Sequence, residues 1–300
     1  MTVSARNTQE SEVTHVVLPG WEEQYTQMSA GRLRGRLVHA EIGTVQLYEE
    51  SINLRVEQEF LSPADAMVFS FDMNENVLYL LDGQTHNAWV TPEHYREVAV
   101  VLKRNAVWGN STTGFEELAL QPLQSRHCAA FADSLSGFLA DLVDGNTRLE
   151  SPGFAQHVVD SCFTLLGETV QVESRSRSEH QARRVVERVK EVIRDCPQEN
   201  LGSLELAQRA GVSVRHLQQS FLRYAGVPPT VWLRNRRLNG ARLDLLAASR
   251  CELTVAEVAM RWSFWHLGRF SQSYHALFGE HPNVTLKRGL DRCSTSFPGI

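Results

Sequence analysis

The chain's 300 residues are 42% hydrophobic, enough for two or three domains with substantial cores, yet no apolar run approaches the about 18 residues a membrane-spanning helix requires. Five scattered cysteines (Cys128, Cys162, Cys196, Cys251 and Cys293) form no C-x-x-C pair, which excludes a disulfide framework or thiolate zinc site and predicts reduced thiols. The net charge of −5 conceals a division, since residues 1–174 carry 10 Lys+Arg against 24 Asp+Glu and residues 175–300 carry 20 against 11.

With no signal peptide or lipidation motif at its start, the chain is expected to be cytoplasmic and nucleoid-associated. Residues 1 to about 20 lack clear periodicity and are expected to be mobile. From Leu33 to Lys103 the text is strand-like: VQLYEESINLRVEQEF alternates, and MVFSF, VLYLL and VAVVL are β-rich runs, broken at Ser62-Pro63 and Asp82-Gly83. Many short strands predict a sheet closed on itself.

After Pro122 the period lengthens. Cys128, Phe131, Leu135, Phe138, Leu139 and Leu142 lie at helical spacing, as do Ala155, Val158, Val159, Cys162, Leu165 and Leu166, so two amphipathic helices are predicted. ESRSRSEHQ (Glu173–Gln181) holds no apolar residue and reads as a solvated linker, followed by a helix with Val185, Val189, Val192 and Ile193 on one face.

SLELAQRAGVSVRHLQQSF (Ser203–Phe221) predicts a short helix, a tight turn and a second helix, and TVAEVAMRWSFWHLGRFSQSY (Thr254–Tyr274) repeats the plan. Leu206-Ala207 matches Val258-Ala259 and Gly211-Val212 matches Ser263-Phe264 at an offset of 52, whereas Leu217 and Phe221 match Phe270 and Tyr274 at 53, so one residue is inserted at the second turn. Ser203 and Thr254 are candidate N-caps, Thr254 with Glu257 makes a capping box, and Ser213 caps the helix after the first turn. Gly211 supplies the permissive backbone a sharp turn prefers; with Ser263 in its place, the second turn is expected to be built differently. Between the units, a helix from about Pro229 to Ala248 would span roughly 30 Å. That is close to the about 34 Å between successive major-groove segments on one face of B-DNA, so two reading helices on one chain could reach adjacent segments.

The stretch from about Arg183 to Arg288 resembles the DNA-binding domain of the AraC/XylS transcriptional regulators. The resemblance rests on Leu206-Ala207, Leu217, Phe221, Gly226, Pro229, Trp232-Leu233, Arg237-Leu238 and Ala241-Arg242, then on Val258-Ala259, Phe264, Phe270, Tyr274, Phe278-Gly279 and Pro282. Ser263 departs from the usual glycine, His275 from lysine or arginine, and Trp232 from tyrosine. Tyr25–Glu59 is similar to the opening strands of a sensory domain found in a subgroup of the family.

The resemblance implies an α+β protein: a β-rich cupin-like barrel or sandwich (1–122), a barrel of this kind being able to enclose a small effector, a helical pair (123–172) forming a homodimer interface or else covering the barrel, a linker (173–182), an all-α double helix-turn-helix domain (183–290) and a tail (291–300). The basic charge of the second half fits a duplex DNA partner.

Helix phase turns Leu217 and Phe221 to the core and projects Arg215, Gln218 and Gln219. In the second unit Phe270, Tyr274 and Phe278 are buried, which leaves His266, Arg269 and Gln272 outward. Arginine reads guanine and glutamine can pair with adenine. The resemblance carries base-contact positions onto Arg215, Gln218 and Gln219, and onto Leu267, Gly268, Arg269 and Gln272. Arg223, Arg234, Arg236, Lys287 and Arg288 are candidate phosphate anchors. Trp262, Phe264 and Trp265 are expected to pack the second turn.

Catalytic signals are weak. His39, His86 and His94 lack H-x-H or H-E-x-x-H spacing, and Glu49-Glu50 would face opposite ways on a strand, so no cofactor, metal or enzymatic role is expected. The expected function is a promoter-binding transcription factor, by default an activator that recruits RNA polymerase. The alternatives are a repressor or dual regulator controlled by protein contact, or a cupin-like module with its own chemistry localised by the DNA-binding half.

Overall fold

A computed structural model describes residues 2–9, 20–84, 86–103, 118–146, 153–171, 173–195, 201–248 and 253–295, and the chain divides into two compact units. The first comprises Met1–Gln24, Arg34–Asn53 and Gln58–Ser176. In chain order the strands are β1 (Thr2–Gln9), β2 (Glu22–Gln27), β3 (Arg34–Ile42), β4 (Val45–Ile52), β5 (Val56–Leu61), β6 (Ala66–Asp72), β7 (Val77–Leu81), β8 (His86–Val90), β9 (Tyr95–Lys103), β10 (Leu123–Gln124) and β11 (Val170–Gln171). They form an eight-stranded sheet of order β1-β3-β4-β9-β6-β7-β10-β11 and a three-stranded sheet of order β2-β5-β8.

The expected closed barrel is thus corrected to two open sheets. The larger sheet ends at β1 on one side and β11 on the other. Closure would have had to pair those edges, and helices covering one face of an open sheet bury its apolar side without it. The opening residues are also corrected in part, because Thr2–Gln9 pairs antiparallel with β3 from Thr2 opposite Glu41 to Gln9 opposite Arg34. Backbone pairing needs no apolar stripe, which is why periodicity missed it. Residues 10–19 lie outside the described set.

Strand alternation sorts the larger sheet into two faces. Val38, Leu47, Met67, Phe69, Phe71, Val98, Val100 and Leu102 share one core with the buried stripes of α1 (Cys128–Val143) and α2 (Phe154–Gly167). The stripes of both predicted helices are therefore spent covering the sheet: Cys128, Leu135, Leu139 and Leu142 from one, Val158, Cys162 and Leu165 from the other. Burial pushes the Cys128 and Cys162 thiols up, which leaves them protonated and unreactive. Glu49 and Glu50 do face opposite ways: Glu49 pairs with Arg96 at 3.0 Å and accepts from Ser136 of α1 at 3.1 Å, while Glu50 lines a cavity on the other face. At the break predicted at Asp82-Gly83, Ser62 Oγ donates to the Asp82 carbonyl at 2.6 Å, and a Cβ on Gly83 would stand 2.0 Å from the Ala64 carbonyl oxygen.

The second unit comprises Arg177–Ile300 with Tyr25–Leu33 and Leu54–Glu57. Its helices are α3 (Glu173–Asp195), α4 (Ser203–Arg209), α5 (Val214–Ala225), α6 (Pro229–Leu246), α7 (Val255–Arg261), α8 (Leu267–Phe278) and α9 (Pro282–Thr295). The stretch read as a linker, 173–182, is helical, a correction with a simple cause: Glu173–Asp195 contains neither Pro nor Gly, so nothing stops α3 from extending beyond its apolar stripe. Ala182, Val185, Val186 and Val189 form that stripe. The segment Tyr25–Leu33 buries Tyr25, Met28 and Leu33 and is stitched on by amides. Gln27 N donates to Asn239 Oδ1 at 2.9 Å, Asn239 Nδ2 donates to the Gln27 carbonyl at 3.0 Å, and Asn235 Nδ2 donates to the Met28 carbonyl at 3.0 Å.

Candidate nucleic-acid interface

The helical unit is a repeat of three helices, α4-α5-α6 and α7-α8-α9. In the first copy the Gly211 backbone turns left-handed (φ 67°), Gly211 N donates to the Gln208 carbonyl at 3.1 Å and Val212 N to the Ala207 carbonyl at 2.9 Å. In the second copy Ser263 adopts φ 63°, Ser263 N donates to Met260 at 2.9 Å and Phe264 N to Ala259 at 2.8 Å. The expectation of a different second turn is corrected: the two turns share backbone geometry, and Ser263 bears a strain that glycine would not.

The inserted residue falls at Trp265, between Phe264, which answers Val212, and His266, which as N-cap of α8 answers Ser213, N-cap of α5. Ser213 Oγ accepts from His216 N at 3.1 Å, whereas His266 makes no side-chain cap bond. Thr254 and Glu257 form the predicted capping box on α7. Both second helices end on left-handed glycines, Gly226 (φ 69°) and Gly279 (φ 70°), and the third helices open at Pro229 and Pro282, where a missing N–H costs nothing.

This scaffold decides which side chains are free to touch a ligand. Leu217 and Phe221 are fully buried, Phe221 meeting Trp232 edge-on at 5.2 Å; Phe270, Tyr274 and Phe278 share a core with Leu238, Ala241 and Leu245 of α6. Arg215, Gln218 and Gln219 on α5 are accordingly exposed, as are His266, Arg269 and Gln272 at α8. Trp262 and Phe264 pack against the second core as expected, but Trp265 does not: it is 70% exposed, beside Leu267 at 43%. An extra residue between turn and helix has no place in a core already filled by Phe264, so its ring is turned out.

The candidate phosphate anchors divide. Arg223, Arg234 and Lys287 are exposed. Arg236 lies over the Trp232 ring at 4.9 Å and pairs with Glu57 at 3.4 Å, and Arg288 pairs with Glu280.

Sequence reading passed over Glu57 altogether. Its carboxylate is fully buried and meets Lys190 Nζ at 2.7 Å, the Tyr224 hydroxyl at 2.9 Å and Trp232 Nε1 at 3.0 Å as well as Arg236. A glutamate in an alternating strand carries no local signal of such a role; the tryptophan standing where the resemblance puts tyrosine was the available hint. A second buried charge set anchors the other repeat, with Arg242 donating to Glu280 at 2.8 Å and Thr285 Oγ1 donating to the same carboxylate at 2.7 Å.

A family model described as a helix-turn-helix domain matches residues 206–288, from α4 into α9 and hence across both copies of the repeat. The XylDLEGF operon transcriptional activator of Pseudomonas putida is 32% identical over 135 residues, which are 45% of this chain and 41% of that protein. The XylDLEGF operon transcriptional activator 2 of the same organism is 30% identical over 142 residues, 47% of this chain and 90% of that protein. The chain belongs to the AraC/XylS family. A solved structure of a probable AraC family transcriptional regulator from Rhodopseudomonas palustris shares 30% identity over 35% of this chain and 97% of its own, with a TM-score of 0.32. The chain spans less than half the length of the first of the P. putida relatives. AraC/XylS proteins are transcription regulators rather than enzymes, in keeping with a candidate interface made of arginine, glutamine and histidine on two short helices. Among the described residues, no helix of this AraC/XylS protein is long and apolar enough to cross a membrane.

Proposed function

We propose that the chain is a sequence-specific DNA-binding transcription factor in which α5 and α8 are the reading helices. The observation that carries this reading is the duplicated three-helix unit, whose second helix in each copy buries its apolar stripe and turns polar side chains outward. Arg215, Gln218 and Gln219 would read base edges in one major-groove segment, and His266, Arg269 and Gln272 in the next. The 18-residue α6 is about 27 Å long at 1.5 Å per residue, a stiff spacer of the size two neighbouring grooves require. Arg223, Arg234 and Lys287 would hold phosphates; Arg236 and Arg288, already ion-paired, would do so while also bracing the fold.

In this reading residues 183–290 bind duplex promoter DNA in the cytoplasm, as a homodimer that recruits RNA polymerase, and the β-rich unit is the sensory half. Selection of bound fragments from a random duplex pool tests the core of it. Enrichment of a bipartite motif with half-elements about one helical turn apart is the expected result; recovery of no motif at modest salt would refute it.

A further inference from the structure

On the sheet face opposite α1 and α2 lies a partly open pocket lined by aromatic and acidic side chains of β2, β4, β5, β8 and β9. All its lining residues belong to the first unit. We propose that this cavity binds a small organic cation, a protonated amine or quaternary ammonium on an apolar body that also carries a neutral hydrogen-bond acceptor. The proposal deepens the sensory role assigned above to the β-rich unit and rests on that reading for its regulatory consequence.

Three features specify the ligand. The first is charge: Glu23 of β2, Glu50 of β4 and Glu97 of β9 converge on the cavity, and none of the described residues lining it is Lys, Arg or His. Burial pushes the Glu97 carboxyl up, against hydrogen bonds from Ser70 Oγ at 2.7 Å and the Tyr95 hydroxyl at 3.0 Å, so an entering cation would relieve a desolvated acid. An organic anion would find no basic side chain among the described residues that line the cavity.

The second feature is aromatic. Trp21, Tyr48, Phe60 and Trp89 line the cavity, with Phe60 4.8 Å from Trp89 and 5.9 Å from Trp21. Such rings attract a cation through their quadrupoles while accepting an apolar body. Trp89 is held in place because its Nε1 donates to Gln58 Oε1 at 2.8 Å. The third feature is an unmet donor: Trp21 Nε1 is buried and has no acceptor among the described residues. A buried N–H without a partner is costly, and a ligand hydroxyl, ether or carbonyl would satisfy it.

The test is calorimetric titration of the full chain with phenethylamine, choline and, as the near-isosteric anion, phenylacetate, in the absence of DNA. Binding of at least one of the two cations, at least about tenfold tighter than phenylacetate, is expected. Glu97→Gln and Glu50→Gln should each weaken it about tenfold or more, while Glu49→Gln, on the opposite face of β4, should leave it unchanged. If Glu97→Gln does not fold, judged by its melting curve, Glu50→Gln and Trp89→Leu carry the test.

Equal or tighter binding of phenylacetate, indifference to the cavity substitutions, or no binding of either cation up to about 10 mM would overturn the proposal. Fluorescence anisotropy on a selected DNA fragment separates this from the functional reading. Loss of amine binding with intact DNA recognition removes only the ligand class; amine binding without DNA recognition removes the transcription-factor reading and leaves the site.

Discussion

Gly240, in the middle of α6, lies directly beneath the ring of Trp262: a Cβ at 240 would stand 2.1 Å from the indole. The ring is also fixed at its edge, because Trp262 Nε1 donates to Asp244 Oδ2, one turn further along α6, at 3.0 Å. Spacer helix and second turn are thus joined by contact too close for any side chain.

Two effects of opposite sign meet in Gly240→Ala. In an open helix the change stabilises by about 1 kcal/mol, whereas overpacking a tight contact costs about 1–3 kcal/mol. Backbone and a pinned ring leave the methyl no room, so net destabilisation is expected in urea denaturation. A rise in the midpoint would mean the indole moves freely.

Ser263→Gly should stabilise the protein by about 0.5–1 kcal/mol, because a left-handed conformation is unfavourable for serine and natural for glycine, less the extra freedom glycine has when unfolded. Gly211→Ala, at the equivalent turn, should lose about 1 kcal/mol or more. Thermal melting of both variants checks the equivalence of the turns, and a fall in stability for Ser263→Gly would contradict it.

On DNA, Arg215→Ala should cost about 1–3 kcal/mol on a selected site and relax one base preference. Arg234→Ala should weaken all sequences alike and reduce the salt slope by about one. Anisotropy titrations across salt on cognate and scrambled duplexes distinguish them; equal loss on both duplexes for Arg215→Ala would remove it from the base-reading set.

Acid should release the Glu280 pair. Burial raises this carboxyl's pKa, but the hydrogen bond from Thr285 and the charges of Arg242 and Arg288 outweigh it and hold the pKa below the usual carboxylate range. A depressed folded value means the contribution is complete above the unfolded pKa of about 4.3 and is lost as pH falls through the folded value. Melting temperatures of the wild type and Glu280→Gln should therefore converge below about pH 4 and diverge above it. Arg242→Ala, which leaves that carboxylate to Arg288 and Thr285, should destabilise the protein near neutral pH by less than the about 3–5 kcal/mol of a wholly unpaired buried charge.

Local signals sufficed for most of the helical half, where many decisions are local, although the cap read at Ser203 falls on Gly202. Thr254 and Glu257 declare a cap, Gly226 and Gly279 declare ends, and the spacing of Leu217 with Phe221 and of Phe270 with Tyr274 fixes which side chains face out. The β-rich half resisted for the converse reason. Sheet closure depends on whether β1 and β11 pair, a relation between residues more than 160 positions apart that no window contains. Ser263 misled because a turn is set by the residues packed on either side of it, here Ala259 and Phe264, so serine is carried into a geometry it would not choose alone. Trp265 was misassigned because its hydrophobicity was weighed without the one-residue shift that pushes it outward.

Glu57 sets a boundary for anyone dissecting this protein. Its carboxylate is the shared acceptor of Lys190, Tyr224, Trp232 and Arg236, yet it arrives from 125 positions before Ala182, where the first of these helices' apolar stripes begins. An excised reader starting at Arg177 would retain every one of those donors and lose the counter-ion they were assembled around, so minimal fragments chosen by motif alone would be born with a charge defect at their centre.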